Sequence, residues 1–222
     1  MANRFSALLF DMDGLMFDTE TIYSKAGQLV LEARGKNFTL DLKRQIMGLR
    51  LPEVWAYIKK YYNLPDEVPV LVKEARQAYE KYLLTDNLLQ PLPGLLDLLS
   101  RAKGQRINLV LATASEKKWV ELIFNKFDLA SYFPTVITSE DVKFGKPHPA
   151  IYQKAVQALN LSPASCLVLE DSVNGVKAAK AAGCLVVAVP NQYTLGQDFS
   201  QADIVVSSLA DKALQHYIFC DT

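Results

Sequence analysis

The chain has 222 residues, half of them apolar, and its 24 basic and 24 acidic side chains leave a formal net charge of zero. That length can bury one sizeable core and a second small one. Balanced, scattered charge excludes the electrostatic footprint of a nucleic-acid binder or of a protein held on an anionic membrane, so a small-molecule partner is expected.

The apolar part of the opening MANRFSALLF is shorter than the core of a signal peptide and gives way at once to charge, and no later run approaches a membrane span. Three cysteines at wide spacing fit neither a disulfide framework nor a zinc pattern; Cys166 and Cys184 fall inside apolar runs and read as core residues in a reducing compartment. A soluble cytoplasmic protein is the expectation, and nothing in the sequence demands a partner copy, so a monomer is expected.

Short β-branched or Leu-rich runs recur along the chain, SALLF, INLVLAT, PTVIT, CLVLE, CLVVAV and DIVVS, with helical patterns between them. The alternation predicts an α/β fold, a Rossmann-like parallel sheet with helices on both faces. One insert interrupts it. Between the first run and the second lie about ninety residues without a clear strand, including TETIYSKAGQLVLEAR, TLDLKRQIMG, LPEVWAYIKKYY and VLVKEARQAYEKYLL. Their apolar positions recur at helical spacing, and Thr39 and Gly48 look like start and stop signals for the second of them.

The insert therefore reads as an α-helical cap domain over residues 17–90, grafted into a catalytic core of residues 1–16 and 91–222. Its tethers are the stretch Leu15 to Thr19 and the proline-rich QPLPG, a stiff hinge by composition. Beyond it, Leu95, Leu98 and Leu99 give one helix an apolar face that Gly104 can end. Trp119, Val120, Ile123 and Phe127 mark the inner face of the next, and Val173, Val176 and Ala179 that of a later one.

The chemistry gathers at strand ends, where open parallel sheets bind ligands. The first run ends in FDMDGLMFDTE. Side chains at i and i+2 of extended chain share a side, so Asp11 and Asp13 converge. Two such charges about 4 Å apart at an effective dielectric near 20 repel by roughly 4 kcal/mol. A bound cation, a shared proton, or both must compensate.

LVLATAS ends in Thr113, Ala114 and Ser115, hydroxyls and backbone N–H groups that suit an anion. FGKPHP sets Lys146 in a turn stiffened by Pro147 and Pro149, and CLVLEDS ends in Glu170 and Asp171. Each has a plain alternative. Thr113 or Ser115 can cap the helix near Glu116, Lys146 can be a solvated turn residue, and Glu170 and Asp171 can lead into the helix after Ser172. Their coincidence at the same ends of successive strands favours a joint site.

Rival motifs fail. DMDG lacks the EF-hand spacing, GKP lacks the glycine and hydroxyl of a P-loop, no GxGxxG or GxSxG occurs, and the two histidines, His148 and His216, have no serine or cysteine beside them in sequence. A carboxylate nucleophile needs no base to activate it, which suits a chain poor in histidine. Against a phosphate, Asp11 could attack if Mg²⁺ and Lys146 offset the charge. Asp11 and Asp171 are the expected ligand side chains, with the Asp13 carbonyl as a third oxygen. Asp13 then serves as acid toward the departing alcohol and as base toward water.

Together FDMDGLMFDTE, LATAS, GKPHPAIY and EDSVNGVKAAKAAG resemble the haloacid dehalogenase superfamily, in its branch with a helical cap inserted after the first motif. The resemblance covers essentially the whole chain. It implies that Asp11 is the nucleophile and Asp13 the acid and base, that Thr113 and Lys146 grip phosphate, and that Asp171 binds Mg²⁺, with Glu170 reaching the metal through water. The second aspartate separates the chain from dehalogenases and ion-pumping ATPases.

The sub-branch it is most similar to is the phosphatases of sugar, polyol and nucleoside monophosphates, including a pseudouridine-5′-phosphatase-like group. β-Phosphoglucomutase shares all the motifs, but the positions that match its cap histidine and arginine are Tyr23 and Leu51, with Arg50 adjacent. Both departures favour hydrolysis over the mutase alternative. A phosphometabolite-binding protein without catalysis would lack the nucleophile or the acid; both are present. Specificity must come from the cap, with Glu20, Tyr23, Arg50 and Arg76 as candidates, and lid closure would exclude water from the site.

Overall fold

The computed structural model describes residues 4–46, 49, 51–85 and 88–219. Two residues singled out above, Gly48 and Arg50, lie outside that set. Six runs expected as strands correspond to six strands: β1 (Ala7–Phe10), β2 (Asn108–Ala112), β3 (Thr135–Ile137), β4 (Cys166–Glu170), β5 (Leu185–Ala188) and β6 (Ile204–Val205). They form one sheet in the order β3-β2-β1-β4-β5-β6, with every pair parallel.

All of β1 is buried because it lies in the middle of that sheet and is covered on both faces. Alternation sorts its side chains. Ala7 and Leu9 join Val110, Val168 and Val186 in a cluster with Ile151, Tyr152 and Ala155 of α7 (Ala150–Leu159) and Val176 and Ala179 of α8 (Val173–Ala181). On the other face Phe10 meets Phe133 edge to face, and Phe133 packs on Phe124 of α6 (Lys117–Phe127). Each such side chain, fully buried, contributes about 1.5–3 kcal/mol, which is what pins the strand register and so the position of the residues just past each strand.

On α6 the buried face is Trp119, Val120, Ile123 and Phe124. Phe127, expected on that face, is half-buried instead: it is the last residue of the helix, and its ring runs off the buried stripe to lie 4.9 Å from that of Phe17. Helix α5 (Leu95–Gly104) begins after Gly94, whose φ of +90° and whose approach to the Ala210 backbone leave no room for a Cβ. Cys166 and Cys184 are buried, and burial pushes the Cys184 thiol up to about 12.

The chain divides into two compact units, residues 1–18 with 90–222, and residues 19–89. The second is helical: α1 (Thr19–Glu32), α2 (Leu40–Ile46), α3 (Leu51–Tyr62) and α4 (Val68–Leu84). Ile22, Ala26 and Val30 recur every fourth residue on the buried side of α1. Thr39 starts α2 by accepting the Leu42 N–H at 3.1 Å. Within the first unit, the segments where the chain leaves and returns pair with each other: Leu92 N–H donates to the Met16 carbonyl at 2.8 Å, and Phe17 bridges Pro91. Among the described residues no helix is long and apolar enough to cross a membrane.

Candidate active site

The sheet register decides which side chains meet. Phe10 lies level with Leu111 of β2 and Leu169 of β4, and the Asp11 N–H continues the ladder to the Leu169 carbonyl at 3.1 Å. Asp11 therefore stands at the carboxyl edge of the central strand, beside the ends of β2 and β4. In this strand order the chain's winding reverses between β1 and β4, and crevices at such switch points are where open sheets bind ligands.

Lys146, from the turn before α7, reaches into that edge. Its ammonium donates to Asp11 Oδ1 at 2.6 Å and to Glu170 Oε1 at 2.5 Å. Only 9 % of the lysine side chain, 8 % of that of Asp11 and none of that of Glu170 is exposed, so the trio has little water to help it. Burial pushes the Asp11 carboxyl up to about 7; attraction to Lys146 opposes this, and repulsion from Glu170 and Asp13 adds to it. Burial works against the Lys146 charge too, but Asp11 and Glu170 together outweigh it and hold the ammonium well above its ordinary value. The plain alternative, a solvated turn lysine, is thereby set aside.

Glu170 is the most tightly held of the three. Oε1 also accepts the Tyr152 hydroxyl at 2.6 Å, while Oε2 accepts the Asp171 N–H, the Ser172 N–H and the Ser172 hydroxyl. Its carboxylate lies where a Cβ on Gly175 would sit, 1.8 Å away, so α8 can approach β4 only with glycine there. Ser172, not Glu170 or Asp171, caps α8 by accepting the Gly175 N–H.

Asp13 lives in a different environment. Its Oδ2 accepts the Ser115 hydroxyl at 2.6 Å and the Thr113 hydroxyl at 3.3 Å, while Oδ1 is buried with no hydrogen-bond partner among the described residues. Thr113 Oγ1 in turn accepts the Ser115 N–H at 3.0 Å. The N-cap of α6 is Glu116, so the two hydroxyls are not spent on capping. Ala114 is exposed between them.

Asp171 Oδ2 accepts the side-chain amide of Asn191 at 2.7 Å. Oxygen atoms of Asp11, Glu170 and Asp171 all lie within 4.8 Å of one another. Three buried carboxylates lie together with one ammonium, which is bonded to two of them, an all-oxygen set with negative charge in excess, and Asp13 adds an orphaned buried oxygen nearby. That donor chemistry fits a hard divalent cation such as Mg²⁺.

Of the candidates in the helical unit, Glu20 is ion-paired with Lys43 at 3.1 Å, Tyr23 stacks on Tyr79 with ring centroids 4.2 Å apart, and Arg76 is exposed on α4. Tyr152 and Asn191 carry contacts that reading the sequence did not assign. Tyr152 stood inside the quoted GKPHPAIY without a role. Asn191 follows the CLVVAV run, a fifth strand end that the same strand-end logic would have reached.

A parallel sheet that gathers buried carboxylates and a lysine past its central strands has the layout of an α/β enzyme with its site at the strand ends. The chain belongs to the haloacid dehalogenase-like hydrolase family, whose family model matches residues 8–189. It is 37% identical over 177 residues to a phosphorylated carbohydrates phosphatase of Thermotoga maritima, covering 80% of this chain and 81% of that protein. It is 35% identical to a probable pseudouridine-5′-phosphatase of Drosophila melanogaster, over 91% of this chain and 89% of the relative. Among solved structures, that of CbbY from Rhodobacter sphaeroides in complex with phosphate superposes with a TM-score of 0.84 at 26% identity, covering 93% of this chain and 96% of that one.

Proposed function

We propose that this protein is a Mg²⁺-dependent phosphatase of small phosphomonoesters, a sugar, polyol or nucleoside monophosphate, working through a phospho-aspartate. The observation that carries the reading is the division of labour between two carboxylates one residue apart. Asp11 is held against an ammonium, whereas Asp13 is held by two hydroxyls, and paired carboxylates in unlike environments suit separate roles. The names of the two phosphatase relatives support the substrate class.

In this reading an Asp11 oxygen attacks phosphorus, forming the Asp11–phosphoryl bond as the bond to the alcohol oxygen breaks. Asp13 gives that departing oxygen its proton. Water then attacks the same phosphorus, Asp13 takes its proton back, and phosphate leaves with Asp11 restored. Lys146 offsets charge on the phosphoryl oxygens, and Thr113, Ser115 and the Ala114 N–H orient them. Asp11, Asp171 and the Asp13 backbone carbonyl would hold Mg²⁺, which supplies positive charge against the phosphate. Glu170, with five donors already on its two oxygens, is assigned first to Lys146 rather than directly to the ion. Choice of leaving group is assigned to the helical unit, with Glu20, Tyr23, Arg50 and Arg76 as the residues to vary.

Phosphate release from a panel of sugar, polyol and nucleoside monophosphates with Mg²⁺ tests the proposal; turnover of at least one member is expected. Conversion of β-glucose 1-phosphate to the 6-phosphate, with no phosphate released from any member, would transfer the assignment to a mutase.

A further inference from the structure

Asn191 lies in the loop just past β5, and every polar group of the residue that the structure describes there has a partner. Its Nδ2 donates to Asp171 Oδ2 at 2.7 Å and to the Gly14 carbonyl at 3.1 Å. Its Oδ1 accepts the N–H groups of Tyr193 at 2.8 Å and Thr194 at 3.3 Å, and its own N–H donates to Thr194 Oγ1 at 3.0 Å. The orientation of the amide is therefore determined. Turning it over would set its oxygen against a carboxylate and a carbonyl and its nitrogen against two N–H donors.

The turn needs only the amide oxygen, an acceptor that serine or aspartate can also provide. The two bonds made by the nitrogen go beyond the turn: they tie the loop after β5 to the loops after β1 and β4. Gly14 makes room for this tie. Its φ is +77°, and a Cβ there would lie 2.4 Å from Asp171 Oδ2 and 2.6 Å from Asn191 Nδ2.

From this geometry we infer that Asn191 is a positioning residue for the divalent-cation site, fixing Asp171 relative to the Asp11–Gly14 loop. The inference rests on the metal-dependent reading above and adds to it the device that sets the spacing of the carboxylates. Charge explains why an amide suits the place. A lysine at 191 would neutralise Asp171 as Lys146 neutralises Asp11, and so compete with the ion. A neutral donor orients the carboxylate and leaves its negative charge for the cation.

The test is Mg²⁺ binding to the full chain, stripped with EDTA, by titration calorimetry, alongside melting without metal and kcat at saturating Mg²⁺. Asn191→Ser keeps an acceptor for the turn but is too short to span to Asp171, and Asn191→Ala removes both. Both variants are expected to weaken Mg²⁺ binding by about 10–100-fold, with kcat largely recovered at high Mg²⁺. A merely structural role predicts a lower melting temperature and an unchanged Mg²⁺ dissociation constant, and that result overturns the inference.

Should both variants fail to fold, Gly14→Ala is a second route. Its Cβ would lie 2.4 Å from Asp171 Oδ2 and 2.6 Å from Asn191 Nδ2, so it opens the contact between carboxylate and amide without changing either residue. Weakened Mg²⁺ binding supports the inference and unchanged binding overturns it. A wild-type protein that gives no Mg²⁺ isotherm overturns the metal reading itself and this inference with it. The two failures are distinguishable, because the first leaves the wild-type isotherm in place.

Discussion

Among the described residues, each unit holds a cation between two carboxylates. In the helical unit Arg34 bridges Asp66 at 2.7 Å and Glu74 at 2.8 Å, with 23 % and 40 % of those acidic side chains exposed. In the first unit Lys146 bridges Asp11 and Glu170 at similar distances with almost no exposure. The consequences have opposite sign. The hydrogen bond from Arg34 dominates at Asp66 and holds its carboxyl below the ordinary range, whereas burial dominates at Asp11 and pushes it up to about 7. Water decides the difference: it screens the wet trio at little cost, while the dry trio must bear the desolvation of each charge. The dry arrangement is a poor way to stabilise a fold and a good way to hold a nucleophile ready for a cationic partner.

The sharpest way to break the comparison is Asp11→Asn. It is expected to lower phosphatase turnover by roughly 10⁴-fold or more in a steady-state phosphate-release assay. Metal-free at pH 8, its urea midpoint should match or exceed that of the wild type, because a neutral side chain replaces an anion the site disfavours. Asp66→Asn should do the reverse, lowering the midpoint while sparing turnover. Next in size is Lys146→Met. It leaves Asp11 and Glu170 buried without their cation and should cost about 3–5 kcal/mol of stability by urea unfolding, together with roughly 10²–10³-fold in kcat.

The pH dependence sharpens the contrast. Asp11 titrates higher in the folded than in the unfolded chain, so between the ordinary 3.8 and about 7 the native state holds the extra proton and this group makes stability fall as pH rises. Asp66 is shifted downward, so its contribution is present above its unfolded value and is lost as pH falls through the lowered one. Urea midpoints of EDTA-treated wild type, Asp11→Asn and Asp66→Asn should show the wild-type difference from Asp11→Asn falling between about pH 4 and 7, and that from Asp66→Asn flat there and shrinking only below about pH 4; parallel profiles would contradict the account. The smallest effect expected is that of Arg34→Met, about 1 kcal/mol or less by the same unfolding measurement.

Strands were the legible part of the sequence because each is a short apolar run bounded by turn residues, though DIVVS contributes only Ile204 and Val205 as β6. Strand ends were legible for a related reason. Charged or hydroxylated residues directly after a buried run, such as Asp11, Thr113 and Asp171, have a limited choice of surroundings. Contacts were not legible. That Lys146 touches Asp11, 135 residues away in sequence, follows from register and from the path of a turn, neither of which local pattern encodes. Tyr152 reads as one more apolar position on α7, and its hydroxyl acquires a role only because Glu170 lies within 2.6 Å. Asn191 has the appearance of an ordinary turn residue after a proline. Its amide acquires significance only when Gly14 and Asp171, from two other loops, arrive beside it.

Acid-quenched single turnover of a radiolabelled phosphomonoester, followed by mapping of the labelled peptide, addresses the role of Asp11 most directly. The account predicts label appearing transiently on Asp11, decaying no more slowly than phosphate is released, and never forming in Asp11→Asn. Full-rate phosphate release with no protein-bound label at any time, or label on another residue that survives the substitution, would contradict it.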